Sequence, residues 1–201
     1  MTAARVLLLR HGQTDWNDAG RFQGSADIPL NDTGMDQARQ AADALAVEGI
    51  TAIVSSDLQR AAATATVLGE RLALPVAFDA RLREINVGLW EGLTHAEIAA
   101  SDPEHWTPIT EGRDIQHSAT GETATGAGRR VADALLEHAA AANSEDTLLV
   151  VGHGLTTRVA AMLLIGLAYP DVRRFGGLGN CHWAVMRPGD PWWRLVAYNR
   201  H

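Results

Sequence analysis

Arg10 and His11 stand side by side, directly after an apolar run at residues 6–9 and directly before Gly12. The arginine is a permanent cation whose planar fork matches phosphate and carboxylate oxygens. The imidazole is a nucleophile or proton carrier near neutral pH. Together they make an anion site with a reactive group inside it. The arrangement recurs at Val150-Val151-Gly152-His153-Gly154, where an apolar strand pattern again ends in a glycine-flanked histidine. Arg60 adds a third instance. It falls in the first turn of a predicted helix, where a cation opposes the helix dipole unless an anion shares the site. A solvated arginine on a helix face is the alternative for Arg60.

The elements that must position these groups follow from periodicity. Residues 6–9 are apolar without alternation, which predicts a strand buried on both faces. Residues 51–55, 75–78 and 147–151 predict further strands. Helical spacing occupies 32–47, after a cap at Asn31 or Asp32 and before Gly49. It recurs over 58–72 after a cap at Ser56 or Asp57, and over 122–142 and 155–167. Thr94-x-x-Glu97 is a capping box that opens a short helix. Residues 181–186 and 193–197 alternate around Arg187-Pro188-Gly189-Asp190-Pro191, which predicts a hairpin at the sheet edge. Strands alternating with helices imply an α/β three-layer α/β/α sandwich, with a mainly parallel sheet and an antiparallel edge strand. In a parallel sheet the strand-to-helix junctions share one edge, the edge at which such sheets bind ligands. Arg10, His11, Arg60 and His153 therefore converge.

Two stretches lack regular periodicity. Residues 16–30 form a polar loop long enough to line a site, with Asn17, Arg21, Phe22, Gln23, Gly24 and Asp27 in it. Residues 101–121 read as an irregular surface insertion over the site, with disorder as the alternative. The rest fits a single domain across 1–201.

Composition narrows the function classes. All 17 basic residues are arginine, and 24 acidic residues bring the net charge to −7. A basic nucleic-acid surface is excluded on that balance. The lack of lysine excludes a Walker phosphate loop and a Schiff-base lysine. No metal-ligand pattern such as HExxH occurs. Cys181 is the only cysteine. It cannot pair internally, so it reads as a small buried hydrophobe in a reducing, cytoplasmic setting. No apolar run approaches a signal or membrane segment, so no membrane partner is expected.

These motifs resemble the histidine phosphatase superfamily, also called phosphoglycerate mutase-like. The resemblance rests on Arg10-His11-Gly12 with Thr14 and Asn17, on Ser55-Ser56-Asp57-Leu58-x-Arg60-Ala61, on Glu84 with Gly88-x-Trp90-Glu91-Gly92, and on Gly152-His153-Gly154. It covers about residues 5–197. It implies that His11 accepts the phosphoryl group, that Arg10, Arg60 and His153 bind it, and that Glu84 donates the proton. It further implies that Asn17, Gln23 and Gly154 contact substrate. Without the resemblance, Glu84 reads as a surface carboxylate in a loop.

The mutases of this family carry a Phe-x-Gly-Trp pattern and a lysine-assisted substrate run. This chain has Phe22-Gln23-Gly24-Ser25 and no lysine, which resembles the phosphatase branch instead. Gly12-Gln13-Thr14-Asp15, Leu93-Thr94-His95-Ala96 and Gly177-Leu178-Gly179-Asn180 are similar to members acting on a glucosylated phosphoglycerate. The expected activity is a metal-independent phosphomonoesterase that needs no cofactor. It would act through a phosphohistidine on a small phosphorylated metabolite, glucosyl-3-phosphoglycerate or another sugar or glycerate phosphate. A primer-dependent mutase and a non-catalytic phosphate-binding protein are the alternatives. Alanine-rich helices and a tryptophan-rich hairpin would support a homodimer.

Overall fold

The computed structural model describes residues 2–201. Six strands form one sheet in the order β3-β2-β4-β1-β5-β6. β1 (Arg5–Arg10), β2 (Ala52–Ser55), β3 (Val76–Phe78) and β4 (Thr147–Gly152) are mutually parallel, whereas β5 (Trp183–Arg187) and β6 (Arg194–Arg200) run antiparallel at one edge. The expected edge hairpin is β5 with β6, and it joins the sheet through β5, which pairs antiparallel with β1.

Successive side chains of a strand leave opposite faces of the sheet, and both faces here are covered. Leu7, Leu9, Leu149 and Val151 pack with Ala42 and Leu45 of α2 (Asp32–Leu45) and with Ala61, Ala65 and Leu68 of α3 (Gln59–Leu72). Val6, Leu8, Leu148 and Val150 pack on the other face with Val131 and Leu135 of α6 (Ala124–Ala141) and Val159 and Met162 of α7 (Leu155–Leu164). Burial on both faces is why β1 and β4 read as unbroken apolar runs. Gly128 sets the distance between α6 and α7: a Cβ there would lie 2.3 Å from Val159 Cγ1.

Three local expectations need correction. Neither Ser56 nor Asp57 caps α3; its N-cap is Leu58, which offers no side-chain acceptor, while Ser56 Oγ accepts the Leu58 N–H at 3.3 Å. α7 stops at Leu164, and Gly166 adopts φ +84° just beyond it. Residues 101–121 are irregular only in their second half, from 111 to 121. α4 (His95–Ser101) is followed at once by α5 (Pro103–Thr110), with Asp102 Oδ1 accepting from His105 N at 3.4 Å and Pro103 at the first helical position. Proline suits that position because its missing N–H would have no partner there. Pro108 inside the helix hid the pattern. Two short helices, α1 (Asp15–Asp18) and α8 (Tyr169–Val172), complete the set.

Candidate active site

Because β2, β4 and β1 are adjacent and parallel, their carboxyl ends lie at one level: Arg10 is paired with Gly152, and Ser55 with Val151. His11 and His153 each follow immediately, and α3 brings Arg60 in its first turn. His11 is 2 % exposed, while His153 and Arg60 are fully buried. The two imidazoles meet edge to face with centroids 5.3 Å apart.

His11 is fixed from several sides. Its Nδ1 lies 2.7 Å from Gly12 O, so Nδ1 carries the proton and Nε2 keeps a lone pair. Its carbonyl accepts from Asn180 Nδ2 at 3.0 Å. Gly12 N donates to Thr64 Oγ1 at 3.1 Å, and that hydroxyl donates to Arg60 O at 2.7 Å. Only glycine fits at position 12, because a Cβ would lie 2.4 Å from Gly34 O. Burial, reinforced by the Arg10 and Arg60 cations, holds the His11 imidazole well below its ordinary range, so it is neutral at pH 7. Burial does the same to His153, helped by Arg60 and His11.

The two arginines are anchored by backbone carbonyls. Arg10 Nη1 donates to Leu178 O at 2.7 Å; Arg60 donates through Nη1 to Ala26 O at 2.7 Å and through Nη2 to Gly24 O at 2.8 Å. The Nε atoms of both are buried without a hydrogen-bond partner, as are Gln23 Oε1 and His153 Nδ1. His153 Nε2 shares a hydrogen bond with Ser56 Oγ at 2.9 Å. Burial pushes the Arg60 guanidinium down to about 10 and lowers that of Arg10.

Glu84 lines the same cleft as His11 and both arginines. Its Oε1 accepts from Ile85 N at 3.1 Å and Thr156 N at 3.0 Å, and its Oε2 accepts from Leu155 N at 3.1 Å. Gly154, the N-cap of α7, has no side chain to satisfy those first-turn donors. The Glu84 carboxylate does so from 71 residues away.

These groups line one cleft of about 230 Å³, which holds Arg10, His11, Asn17, Gln23, Arg60, Glu84 and Gly154. His153 does not reach its surface; it backs His11 from behind. Asn17 Oδ1 accepts from Asn180 Nδ2 at 3.2 Å, which ties the 16–30 loop to the His11 carbonyl. Arg21, Phe22 and Gly24 of that loop also line the cleft, whereas Asp27 turns away to Gln59 N at 2.7 Å. No residue of 101–121 lines it. Trp106 of α5 instead braces Phe22 from behind, edge to face at 6.0 Å.

Sequence reasoning missed Arg158, Leu178, Ile85 and Val87, all on the cleft wall. Arg158 had a signal: a residue three positions into a helix that opens at the sheet's ligand edge remains close to that edge. Its Nη1 donates to Phe175 O at 3.0 Å, and its Nε is buried without a partner. The lining therefore carries Arg10, Arg21, Arg60 and Arg158 against Glu84 alone among acidic side chains. In a chain of net charge −7, this is a concentrated positive pocket.

Residues 6–201 match the family described as "Histidine phosphatase superfamily (branch 1)". A glucosyl-3-phosphoglycerate phosphatase of Mycolicibacterium vanbaalenii is 36 % identical, over 99 % of this chain and 96 % of that protein. A probable phosphoglycerate mutase of Yersinia pestis is 34 % identical over 94 % of this chain and 87 % of its own. A solved mycobacterial glucosyl-3-phosphoglycerate phosphatase in complex with VO3 superposes with a TM-score of 0.91 at 35 % identity, covering 98 % of this chain and all of that one.

Proposed function

The chain belongs to the histidine phosphatase superfamily, branch 1, and is a phosphoric monoester hydrolase; from that premise we propose that it hydrolyses glucosyl-3-phosphoglycerate or a closely related phosphorylated glycerate through a phosphohistidine at His11. The observation that carries the reading is His11 with its Nδ1 committed to Gly12 O, in one cleft with the Arg10 and Arg60 guanidiniums.

In this mechanism His11 Nε2 attacks phosphorus and the ester oxygen departs. Phosphoryl transfer depends on placement and charge neutralisation more than on covalent assistance. Arg10 and Arg60 hold the non-bridging oxygens through charge-assisted hydrogen bonds, and their partnerless Nε donors supply two of them. His153, packed edge to face on His11, holds that imidazole in place rather than touching the phosphoryl group. Glu84 protonates the leaving alkoxide. It then takes a proton from the water that attacks phospho-His11, and inorganic phosphate is released. Asn17 and Gln23 contact the phosphoryl group or its ester, and the Gly154 backbone borders it. Arg158 and Arg21 receive the substrate's second negative charge, the glycerate carboxylate. No metal or other cofactor enters, since the arginines provide the neutralising charge.

The same reading includes a cytoplasmic location and a homodimer. Cys181 is a buried free thiol, a state kept in reducing compartments. No described helix is long and apolar enough to cross a membrane. Trp192 is 57 % exposed and shares a shallow apolar hollow with Leu136, Pro191 and Trp193, which a second copy would cover. Sedimentation then returns the mass of two chains.

The test of the reaction is phosphate release from glucosyl-3-phosphoglycerate, 3-phosphoglycerate, glucose 6-phosphate and p-nitrophenyl phosphate in EDTA. The glycerate esters are expected to lead in kcat/KM. Activity that vanishes in EDTA and returns with Mg²⁺ overturns the metal-free mechanism. Isomerisation of 3-phosphoglycerate that requires a bisphosphorylated primer, with little phosphate release, favours a mutase instead.

A further inference from the structure

Glu84 sits on no helix or strand; it lies between two short 3-10 turns, Ala80–Leu82 and Gly88–Trp90. A proton donor must nevertheless be held to within about 0.5 Å of its working position. Its three backbone contacts fix the carboxylate but leave the chain on either side of it to be held by something else.

That hold comes from α6. Arg130 Nη1 donates to Arg81 O at 2.7 Å and Arg83 O at 3.1 Å, gripping the chain just before Glu84. Its Nη2 donates to the Glu122 carboxylate at 3.0 and 3.2 Å. Glu122 Oε2 accepts the Asn86 N–H at 2.9 Å, and Glu122 N donates to Asn86 O at 2.8 Å, gripping the chain just after Glu84. One guanidinium therefore joins both flanks of the loop through a single ion pair. Its rigid fork serves two carbonyls and a carboxylate at once, a geometry an ammonium group cannot copy. The pair is only partly exposed, with side-chain exposures of 27 % for Arg130 and 36 % for Glu122, and neither residue lines the cleft.

We propose that Arg130 and Glu122 are positioning residues that set the reach of the Glu84 proton donor towards the leaving oxygen. The proposal rests on the reading of Glu84 as that donor. Its signature is dependence on the leaving group. An alkyl alkoxide needs protonation to depart, whereas p-nitrophenolate hardly does. Loosening the loop must therefore damage the first substrate and spare the second.

The experiment measures kcat and KM on a glycerate phosphate and on p-nitrophenyl phosphate for the wild type, Glu84→Gln, Arg130→Met and the double variant. Arg130→Lys and Glu122→Gln are measured in parallel, in case Arg130→Met fails to fold. Glu84→Gln is expected to lose about 10²–10⁴-fold on the glycerate ester and far less on the nitrophenyl ester. Arg130→Met is expected to lose about 10–100-fold in kcat on the glycerate ester, a size set by an ångström-scale misplacement. Its KM should hold, and its nitrophenyl rate should stay within about threefold. Arg130→Lys and Glu122→Gln should show the same selectivity at smaller size, and the double variant should be no worse than Glu84→Gln. If Glu84→Gln is selective but Arg130→Met matches wild type, falls equally on both esters or adds fully in the double variant, the positioning role is overturned and the donor assignment stands. If Glu84→Gln itself falls equally on both esters, the donor assignment fails and takes the positioning role with it.

Discussion

Arg60→Met separates what the site needs for chemistry from what the fold needs for stability. Arg60 is fully buried, and burial pushes its guanidinium down to about 10. Against an ordinary guanidinium, that fall corresponds to roughly 3 kcal/mol spent on keeping the cation in place. Methionine keeps most of the apolar stem and removes the charge. The Ala26 and Gly24 carbonyls then lose their donors at 2.7 and 2.8 Å, at about 1–3 kcal/mol each. The opposing terms largely cancel, so the variant should lose no more than about 3 kcal/mol of folding stability. Activity has no such compensation. Losing two charge-assisted hydrogen bonds to the phosphoryl oxygens, at about 1.5–3 kcal/mol each, predicts a loss of about 10²–10⁴ in kcat/KM. Both ester types should lose equally, because both present the same oxygens. Urea unfolding gives the first quantity and initial rates the second. A third readout uses inorganic phosphate: at about 100 Kd it should stabilise the wild type by about 2.7 kcal/mol and leave the variant unmoved at the same concentration. A variant that keeps kcat/KM within tenfold, or that phosphate still stabilises to the same extent, refutes the reasoning.

Stability should fall on acidification. His11 and His153 are held well below their ordinary range in the native state, so the unfolded chain binds more protons as pH drops through about 6.5. Each histidine contributes a slope of up to about 1.4 kcal/mol per pH unit below that point, until its native value is reached. Urea midpoints should therefore drop between pH 7.5 and 5.5, less steeply for His11→Asn; a flat profile contradicts the buried neutral pair. Gly12→Ala drives a methyl group against Gly34 O at 2.4 Å, so melting should show a loss of at least about 2 kcal/mol, together with loss of turnover from the displaced His11. Wild-type melting would count against that close approach. Arg158→Met should raise KM for 3-phosphoglycerate at least tenfold while leaving glycerol phosphate unchanged; equal effects on both remove it from carboxylate recognition.

The parts legible in the sequence were those written in local pattern. Unbroken apolar runs placed β1 and β4, and a histidine after each placed the two imidazoles at one sheet edge. Arg60 was betrayed by its conflict with a helix dipole, a conflict that an anion resolves. What escaped has long reach and no spacing. Glu84 capping α7 spans 71 residues, and Arg130 gripping the Glu84 loop spans 49; neither leaves a periodicity. Helix α5 was hidden by Pro108, although Asp102-Pro103 is a legible start signal. Arg158 lies in a helix that is otherwise mostly apolar, and its closeness to the cleft depends on where that helix begins.

The central claim is that His11 becomes covalently phosphorylated during turnover. Rapid acid-free quenching of the wild type with a ³²P-labelled glycerate phosphate, followed by peptide mapping, tests it directly. The account predicts label that is acid-labile and base-stable, approaches one per site before steady state, maps to His11, and is lost in His11→Asn along with turnover. Full turnover with no trapped label, or label that persists in His11→Asn, would contradict it.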